Sequence, residues 1–304
     1  MRGWWRIQQE LRRGRDRMAL VRGRRRVARF PHRRVAARHG FRSPLAVSLT
    51  SYPPRFATLA NTLKTLLSQS VAADRVILWI AEADRSQLPA EVCALAEYDL
   101  EIRTCPDLRS YKKLLPALEL LPEHAIVTAD DDICYNEDWL AGLVEEARSS
   151  EGDVIAHRAH LARRTREGTF WPYSEWEMAT DARTDRPPEG MIFPTGMGGV
   201  LYPPGSLDRR VADAELALRL CPDADDVWFF WMTRLAGWGH RATRNPPLLV
   251  PWDGSQQVAL YHDNWLGGRN DLRIAAMQHA FGVLPDAARG SAAEEVPEPC
   301  AAGR

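Results

Sequence analysis

Lysine is almost missing from this chain. Of 40 basic residues only Lys64, Lys112 and Lys113 are lysine and the rest are arginine, a bias of composition more than of chemistry. Cysteine is sparse as well: Cys93, Cys105, Cys134, Cys221 and Cys300 are scattered, odd in number and never spaced as CxxC. That excludes a disulfide framework and a CxxC zinc site, and it favours a reducing compartment. No run of about 18 apolar residues occurs, so the sequence offers no membrane span. The first residues lack the apolar h-region of a signal peptide. Together these absences lead to the expectation of a cytoplasmic protein. Neither GxGxxG nor a GxxxxGK loop ending in Ser or Thr is present, which argues against a classical dinucleotide site and a Walker loop. There are no internal repeats.

What is there suits a globular protein. The 304 residues, 45% hydrophobic and 26% charged, suffice for a sizeable core in one large domain or two small ones. Net charge is zero but unevenly placed: residues 1–42 carry fifteen arginines against Glu10 and Asp16, a local excess of thirteen positive charges. Trp4, Trp5, Ile7, Leu11, Met18, Leu20 and Val21 are scattered among those arginines. Residues 1–42 therefore read either as an amphipathic helix on an anionic membrane surface, giving peripheral attachment, or as a disordered solvated arm. No nucleic-acid motif accompanies the charge. The folded domain is expected over 43–285. The tail 286–304, rich in Ala, Glu and Pro, is expected to be disordered.

The chain turns on Ala125-Ile126-Val127-Thr128-Ala129-Asp130-Asp131-Asp132-Ile133. A short apolar run reads as a buried strand and stops at three carboxylates. Asn136 is placed to cap a following helix, in which Trp139, Leu140, Leu143, Val144 and Ala147 keep helical spacing. The acids thus fall at the carboxyl end of a strand, where open α/β sheets bind ligands. Adjacent carboxylates repel, and a divalent cation with oxygen ligands offsets that cost. In an extended chain Asp130 and Asp132 point one way and Asp131 the other, giving two ligands to one metal. The plain alternative is a solvated acidic turn.

Earlier in the chain, Leu45–Thr50, Arg75–Ile80 and Leu100–Arg103 read as strands, separated by helical patterns over 56–67 and about 89–97. Pro54 suits a first helical turn. Strands alternating with helices predict right-handed crossovers and a mainly parallel sheet. Asp153–Ala156 adds another strand. The polar stretch 163–190 holds Phe170, Trp171, Tyr173 and Trp176, which are either stacking surfaces for a sugar or base, or satellite core. Gly196, Gly198 and Gly199 permit a sharp turn or close approach to a ligand.

Asp225 and Asp226 open an apolar helix that Gly237 is placed to end. Both carboxylates suit the positive end of a helix dipole, so capping is the plain reading. One acid suffices for a cap, and a second can act as a general base. His262, in the polar cluster Tyr261–Trp265, is a candidate third metal ligand or phosphate contact.

In order and spacing, the segments TSYPPR, YKKLLPAL, TADDDI, PTGMGGVLYPP and ADDVWFFWMTRLAG resemble nucleotide-sugar glycosyltransferases of the GT-A fold, close to the bacterial family 2-like enzymes. The resemblance covers roughly residues 45–282 and is carried by the five segments together. It implies an α/β, Rossmann-like, mainly parallel sheet flanked by helices, with a smaller mixed region on the acceptor side. It implies that Asp130 and Asp132 hold Mn²⁺ or Mg²⁺ on the diphosphate, with Asp131 nearer ribose or sugar. Thr50, Ser51, Tyr52 and Arg55 would border the nucleotide, and Lys112 or Lys113 would neutralise phosphate charge. Gly198 and Gly199 would face donor sugar and acceptor. Asp226, rather than Asp225, would be the base, although Asp-Asp stands here where the family usually has Glu-Asp. The implied activity is transfer of a sugar from a nucleotide-diphosphate donor to a saccharide or lipid-linked hydroxyl acceptor, in surface polysaccharide or glycoconjugate synthesis. A GT-A-like nucleotidyltransferase would share sheet and metal, but expects a Gly- and Lys/Arg-rich loop where TSYPPR stands. A haloacid-dehalogenase phosphatase expects its acids on the first strand. A non-catalytic sugar-binding or scaffold protein would not need both acid motifs.

Overall fold

In the strand β1 (Leu45–Thr50), Leu45, Val47 and Leu49 enter one hydrophobic cluster and Ala46 another, the period of two that a strand imposes. The computed structural model describes residues 2–31, 36–150, 152–180, 190–255 and 268–285. After β1 come α2 (Phe56–Leu66), β2 (Arg75–Ala81), β3 (Leu100–Cys105), α3 (Leu115–Leu120) and β4 (Ala125–Ala129). Then follow α4 (Trp139–Ser149), β5 (Asp153–Ala156), β6 (Ala159–Ala162), β7 (Glu177–Thr180), β8 (Met191–Pro194) and β9 (Val200–Tyr202). The last major elements are α5 (Asp225–Leu235), β10 (Gly239–Ala242) and α6 (Arg269–Phe281), and α1 (Arg2–Ala28) precedes them all.

The main sheet has seven strands in the order β10-β5-β9-β4-β1-β2-β3. Only β9 runs antiparallel to its neighbours, β4 and β5. A small antiparallel sheet, β7-β6-β8, adjoins one end. This is the α/β arrangement expected from the sequence: a mainly parallel sheet flanked by helices, with a smaller second sheet beside it.

Each face of the sheet has its own core. On one, Leu59 and Leu63 of α2 and Leu140 and Leu143 of α4 cover Leu45, Val47 and Val127. On the other, Trp228, Phe229, Phe230 and Trp231 of α5 join Ile77, Trp79 and Ile126. The α5 helix is apolar all round because it lies between the sheet and a second aromatic group. Phe193 lies 5.1 Å from Phe230, and Phe170 5.3 Å from Trp231, ring centre to ring centre. Burying one such ring removes about 200 Å² from water, roughly 5 kcal/mol of transfer free energy. Of the two readings of the 163–190 aromatics, Phe170 and Trp176 therefore take the core one. Trp171 is only partly buried and has the Arg163 guanidinium 4.5 Å above its ring.

Local details depart from expectation. The α4 helix starts at Trp139 after Asp138 with no side-chain cap, so Asn136 is not its cap. Residues 2–28 form one helix, and its second half lies on the body of the protein. There Gly23 is buried so close to Cys134 that a Cβ would stand 2.0 Å from the sulfur. Arg26 donates to the Tyr135 carbonyl, and Arg24 pairs with Asp253. Among the described residues no helix is long and apolar enough to cross a membrane. The tail 286–304 lies outside the described residues.

Candidate active site

Strands β1 and β4 are parallel neighbours, so Thr50–Arg55 and Asp130–Asp132 emerge at the same sheet edge. A cleft of about 720 Å³ opens there, with Asp225 and Asp226 in its lining. The size suits a small-molecule ligand.

The three aspartates are not presented as an extended chain. β4 ends at Ala129, and Asp131 and Asp132 form a turn. The expected alternation of side chains therefore fails, and each acid is met separately. Asp131 accepts from the Ser51 hydroxyl at 2.5 Å, and its carbonyl accepts from Thr62 at 2.9 Å. Asp132, 9% exposed, is ion-paired with Arg55. Asp130 keeps 27% of its side chain exposed and stands 3.5 Å from Lys113 Nζ. Burial is the main cause that pushes the Asp131 carboxyl up to about 7, and it also raises that of Asp130, against the pull of Lys113.

Lys113 links the two acid motifs. Its carbonyl is pinned by the Ser48 hydroxyl at 2.6 Å. Its buried ammonium lies 3.1 Å from Asp225 Oδ2 as well as close to Asp130. Burial opposes that charge, but Asp225, Asp130 and Asp226 together hold the ammonium well above its ordinary pKa. Asp225 and Asp226 sit in the first turn of α5, yet neither caps it: Ala224 is the cap residue and no side chain bonds there. Asp226 Oδ1 instead accepts from the Gly196 N–H at 2.8 Å. Burial first, and the Asp225 charge second, push the Asp226 carboxyl up to about 7. A carboxylate of that pKa is poised to take a proton near neutral pH.

The other expected residues divide. Tyr52 is 37% exposed, in the cleft lining. The Thr50 hydroxyl is spent on the Trp79 carbonyl at 2.8 Å. Lys112 lines the cleft, but its ammonium is paired with Asp107 at 2.6 Å. Gly198 and Gly199 do not line the cleft, and Gly196 and Met197 supply that wall. Gly199 has φ +105°, and a Cβ on it would stand 2.6 Å from the Trp139 ring. Trp139 Nε1 also donates to the Gly198 carbonyl. These two glycines thus shape the turn against α4. His262 lies outside the described residues. The lining also includes Arg158, His160, Asp107 and Asp223, which the sequence reading passed over. Asp223 stood inside the acidic run 223–226 and was legible there. The β5–β6 connection and the start of β6, which hold Arg158 and His160, carry no motif.

Among the described residues, no three His, Cys, Asp or Glu side chains already surround a common point. The donor chemistry nevertheless fits a hard divalent cation, because Asp130, Asp132 and Asp225 offer only carboxylate oxygens. Asp225 Oδ2 is buried without a hydrogen bond, its one close cation being the Lys113 ammonium. Arg55 and Lys113 now supply the positive charge beside these acids.

No family model matches the chain, and no curated protein matches it in sequence. Its likenesses are to solved structures. Glucosyl-3-phosphoglycerate synthase from Mycobacterium tuberculosis, in complex with Mn²⁺, UDP and glucosyl-3-phosphoglycerate, is 14% identical with a TM-score of 0.42. That match covers 81% of this chain and 82% of the synthase. In a second complex of that synthase the matched stretch spans 43% of its length. The mannosyltransferase PcManGT from Pyrobaculum calidifontis, with GDP-Man and Mn²⁺, is 16% identical over 90% of this chain and 80% of its own, with a TM-score of 0.42. A 4-diphosphocytidyl-2C-methyl-D-erythritol synthase is 15% identical over 75% of this chain and 98% of its own, at 0.40. At such identities and scores no ligand or residue role passes from those proteins to this chain.

Proposed function

We propose that this protein is a glycosyltransferase that moves a sugar from a nucleoside-diphosphate donor to a hydroxyl acceptor, with a divalent metal as cofactor. One observation carries the reading: two acid motifs, 95 residues apart in sequence at Asp130 and Asp225, meet across the single ammonium of Lys113 in one cleft. A solvated acidic turn and a helix cap would have no reason to share a buried cation.

The roles follow from position. Asp130 and Asp132 would hold Mn²⁺ or Mg²⁺, which when bound neutralises charge on the leaving diphosphate. Arg55 and Lys113 add positive charge beside them. Ser51 orients Asp131 toward the donor, and Tyr52 borders the mouth of the cleft. Asp226 takes the proton of the acceptor hydroxyl as that oxygen bonds to the anomeric carbon. The bond from that carbon to the diphosphate oxygen breaks, and its electron pair leaves with the nucleoside diphosphate. A single displacement of this kind inverts the anomeric centre. The Gly196 N–H keeps the Asp226 carboxylate aimed, and Lys113 holds Asp225 beside it.

A donor screen tests the reading. UDP-, GDP-, CDP- and dTDP-sugars, with Mn²⁺ or with EDTA, should give metal-dependent thermal stabilisation and slow donor hydrolysis with one nucleotide. Asp130→Ala/Asp132→Ala should abolish both. No response to any donor from folded protein with metal present would refute it.

A further inference from the structure

Most cations lining the cleft face a carboxylate. Arg55 faces Asp132, Lys112 faces Asp107, and Lys113 faces Asp130 and Asp225. Asp223 is held by Arg273 at 2.8 Å. Arg109 donates to the Pro222 carbonyl and has Asp107 nearby as a charge partner. Among the described residues Arg158, like Arg109, has no carboxylate within ion-pair distance; it differs from Arg109 in that its one side-chain partner is a neutral hydroxyl, that of Thr195, at 2.9 Å, with no carboxylate named beside it. A half-buried cation lining a cleft beside a neutral partner keeps most of its capacity to bind an oxyanion, because a guanidinium offers five donors in a planar fork.

The position of Arg158 says which ligand that oxyanion would belong to. Thr195 is bonded to Arg158 through its backbone as well, N–H to carbonyl at 3.0 Å. The next residue, Gly196, holds the carboxylate of Asp226. The residue that holds the guanidinium, Thr195, thus directly precedes the one that holds the base, on the wall made by the β5–β6 connection and the end of β8. The groups expected to bind the diphosphate come from β1 and β4. His160, two residues on, reinforces the wall. Its Nδ1 accepts from the Ala179 N–H at 3.0 Å, so the neutral ring carries its proton on Nε2 and is a donor there. His160 also lines the cleft.

We infer that Arg158, with His160, forms an oxyanion subsite on the acceptor side of the cleft, selecting an acceptor with a carboxylate or phosphate near its attacking hydroxyl. The inference rests on the transferase reading and on Asp226 as its base. An acidic sugar and a sugar phosphate share the chemistry that Arg158 would read, and separate acceptors distinguish them.

The test uses the full chain, Mn²⁺ and the nucleotide sugar found in the donor screen. Methyl glucuronide and glucose 6-phosphate are compared with methyl glucoside as acceptors. The wild type should favour one anionic acceptor over methyl glucoside by tenfold or more in kcat/KM. In Arg158→Gln that ratio should fall toward one, through a raised KM for the anionic acceptor, and Arg158→Lys should restore part of it. Equal use of neutral and anionic acceptors by the wild type, or an unchanged ratio in Arg158→Gln, would overturn the inference while leaving the transferase reading intact. Absence of any metal-dependent donor turnover would overturn that reading and this inference with it.

Discussion

Replacing Lys113 by Met removes the one cation that the two acid motifs share. The ammonium lies 3.1 Å from Asp225 and 3.5 Å from Asp130, so each contact is worth about 5 kcal/mol of Coulomb attraction at an effective dielectric of ~20. Desolvation of the buried groups offsets most of this. Deleting one partner of such a buried set, which strands the others, costs about 3–5 kcal/mol. For a domain of this size that lowers Tm on the order of 10 °C. The loss should grow with pH. Without Lys113 the carboxyls of Asp130 and Asp226, already raised by burial, rise further above the unfolded value, and the native state binds more protons than the unfolded one across that window. Stability then falls as pH rises through it, so the variant should be weaker at about pH 8.5 than at about pH 6. A divalent cation can take over the charge that the ammonium supplied. Thermal unfolding in EDTA and in Mn²⁺ should therefore show a larger metal-induced gain in Lys113→Met than in the wild type. A variant as stable as the wild type in EDTA at the higher pH would refute the shared-cation geometry.

Asp226→Asn should retain metal-dependent donor binding but lose transfer by about 10²–10⁴-fold; a loss below tenfold would move the base elsewhere. With the Asp226 carboxyl near 7, the wild-type rate should rise with pH up to about that value and level off above it, because the base must be ionised. Gly196→Ala would place a Cβ 2.7 Å from Lys113 Nζ and 2.9 Å from Asp226 Oδ1, two movable side-chain ends. It should cost activity with little change in Tm, whereas Gly199→Ala, strained at φ +105° and set against the Trp139 ring, should lower Tm itself. Burial holds His157 neutral, its pKa lowered to about 4, with ring nitrogens engaged by the Trp139 carbonyl and the Thr243 hydroxyl. Its folded pKa lies below the unfolded ~6.5, so its stabilising share is present above that pH and drains as pH falls toward 4, by roughly 3 kcal/mol. Denaturant titrations should show a flatter acid limb in His157→Gln, and identical slopes would refute the assignment.

Much of this was legible in the chain because local patterns and tertiary structure agree. The period of two in Leu45–Thr50, the apolar stop at Ala129, the helix opened by Asp225 and the Gly237 turn at φ +83° all stand where sequence logic puts them. The misread features depend on contacts that no local pattern encodes. Asp130–Asp132 leave the strand period as soon as β4 ends, so alternation says nothing about where they point. Gly198 and Gly199 read as ligand-facing, but the side chains that crowd them are Leu249 and Trp139, each about fifty or sixty residues away in sequence. Lys112 and Lys113 are equivalent in sequence, and only the fold sends one to Asp107 and the other between Asp130 and Asp225. Arg158 is invisible as a motif, since its interest lies in lining the cleft with only the neutral Thr195 hydroxyl as side-chain partner.

The most direct measurement is a crystal structure of the protein with Mn²⁺ and the nucleoside diphosphate that stabilises it, the metal located by its anomalous signal. One peak coordinated by Asp130 and Asp132 is expected, with the diphosphate between that metal and the Arg55–Lys113 side, and the Asp226 carboxylate facing the open cleft. A metal bound away from both aspartates, or a nucleotide seated outside the cleft, would contradict it.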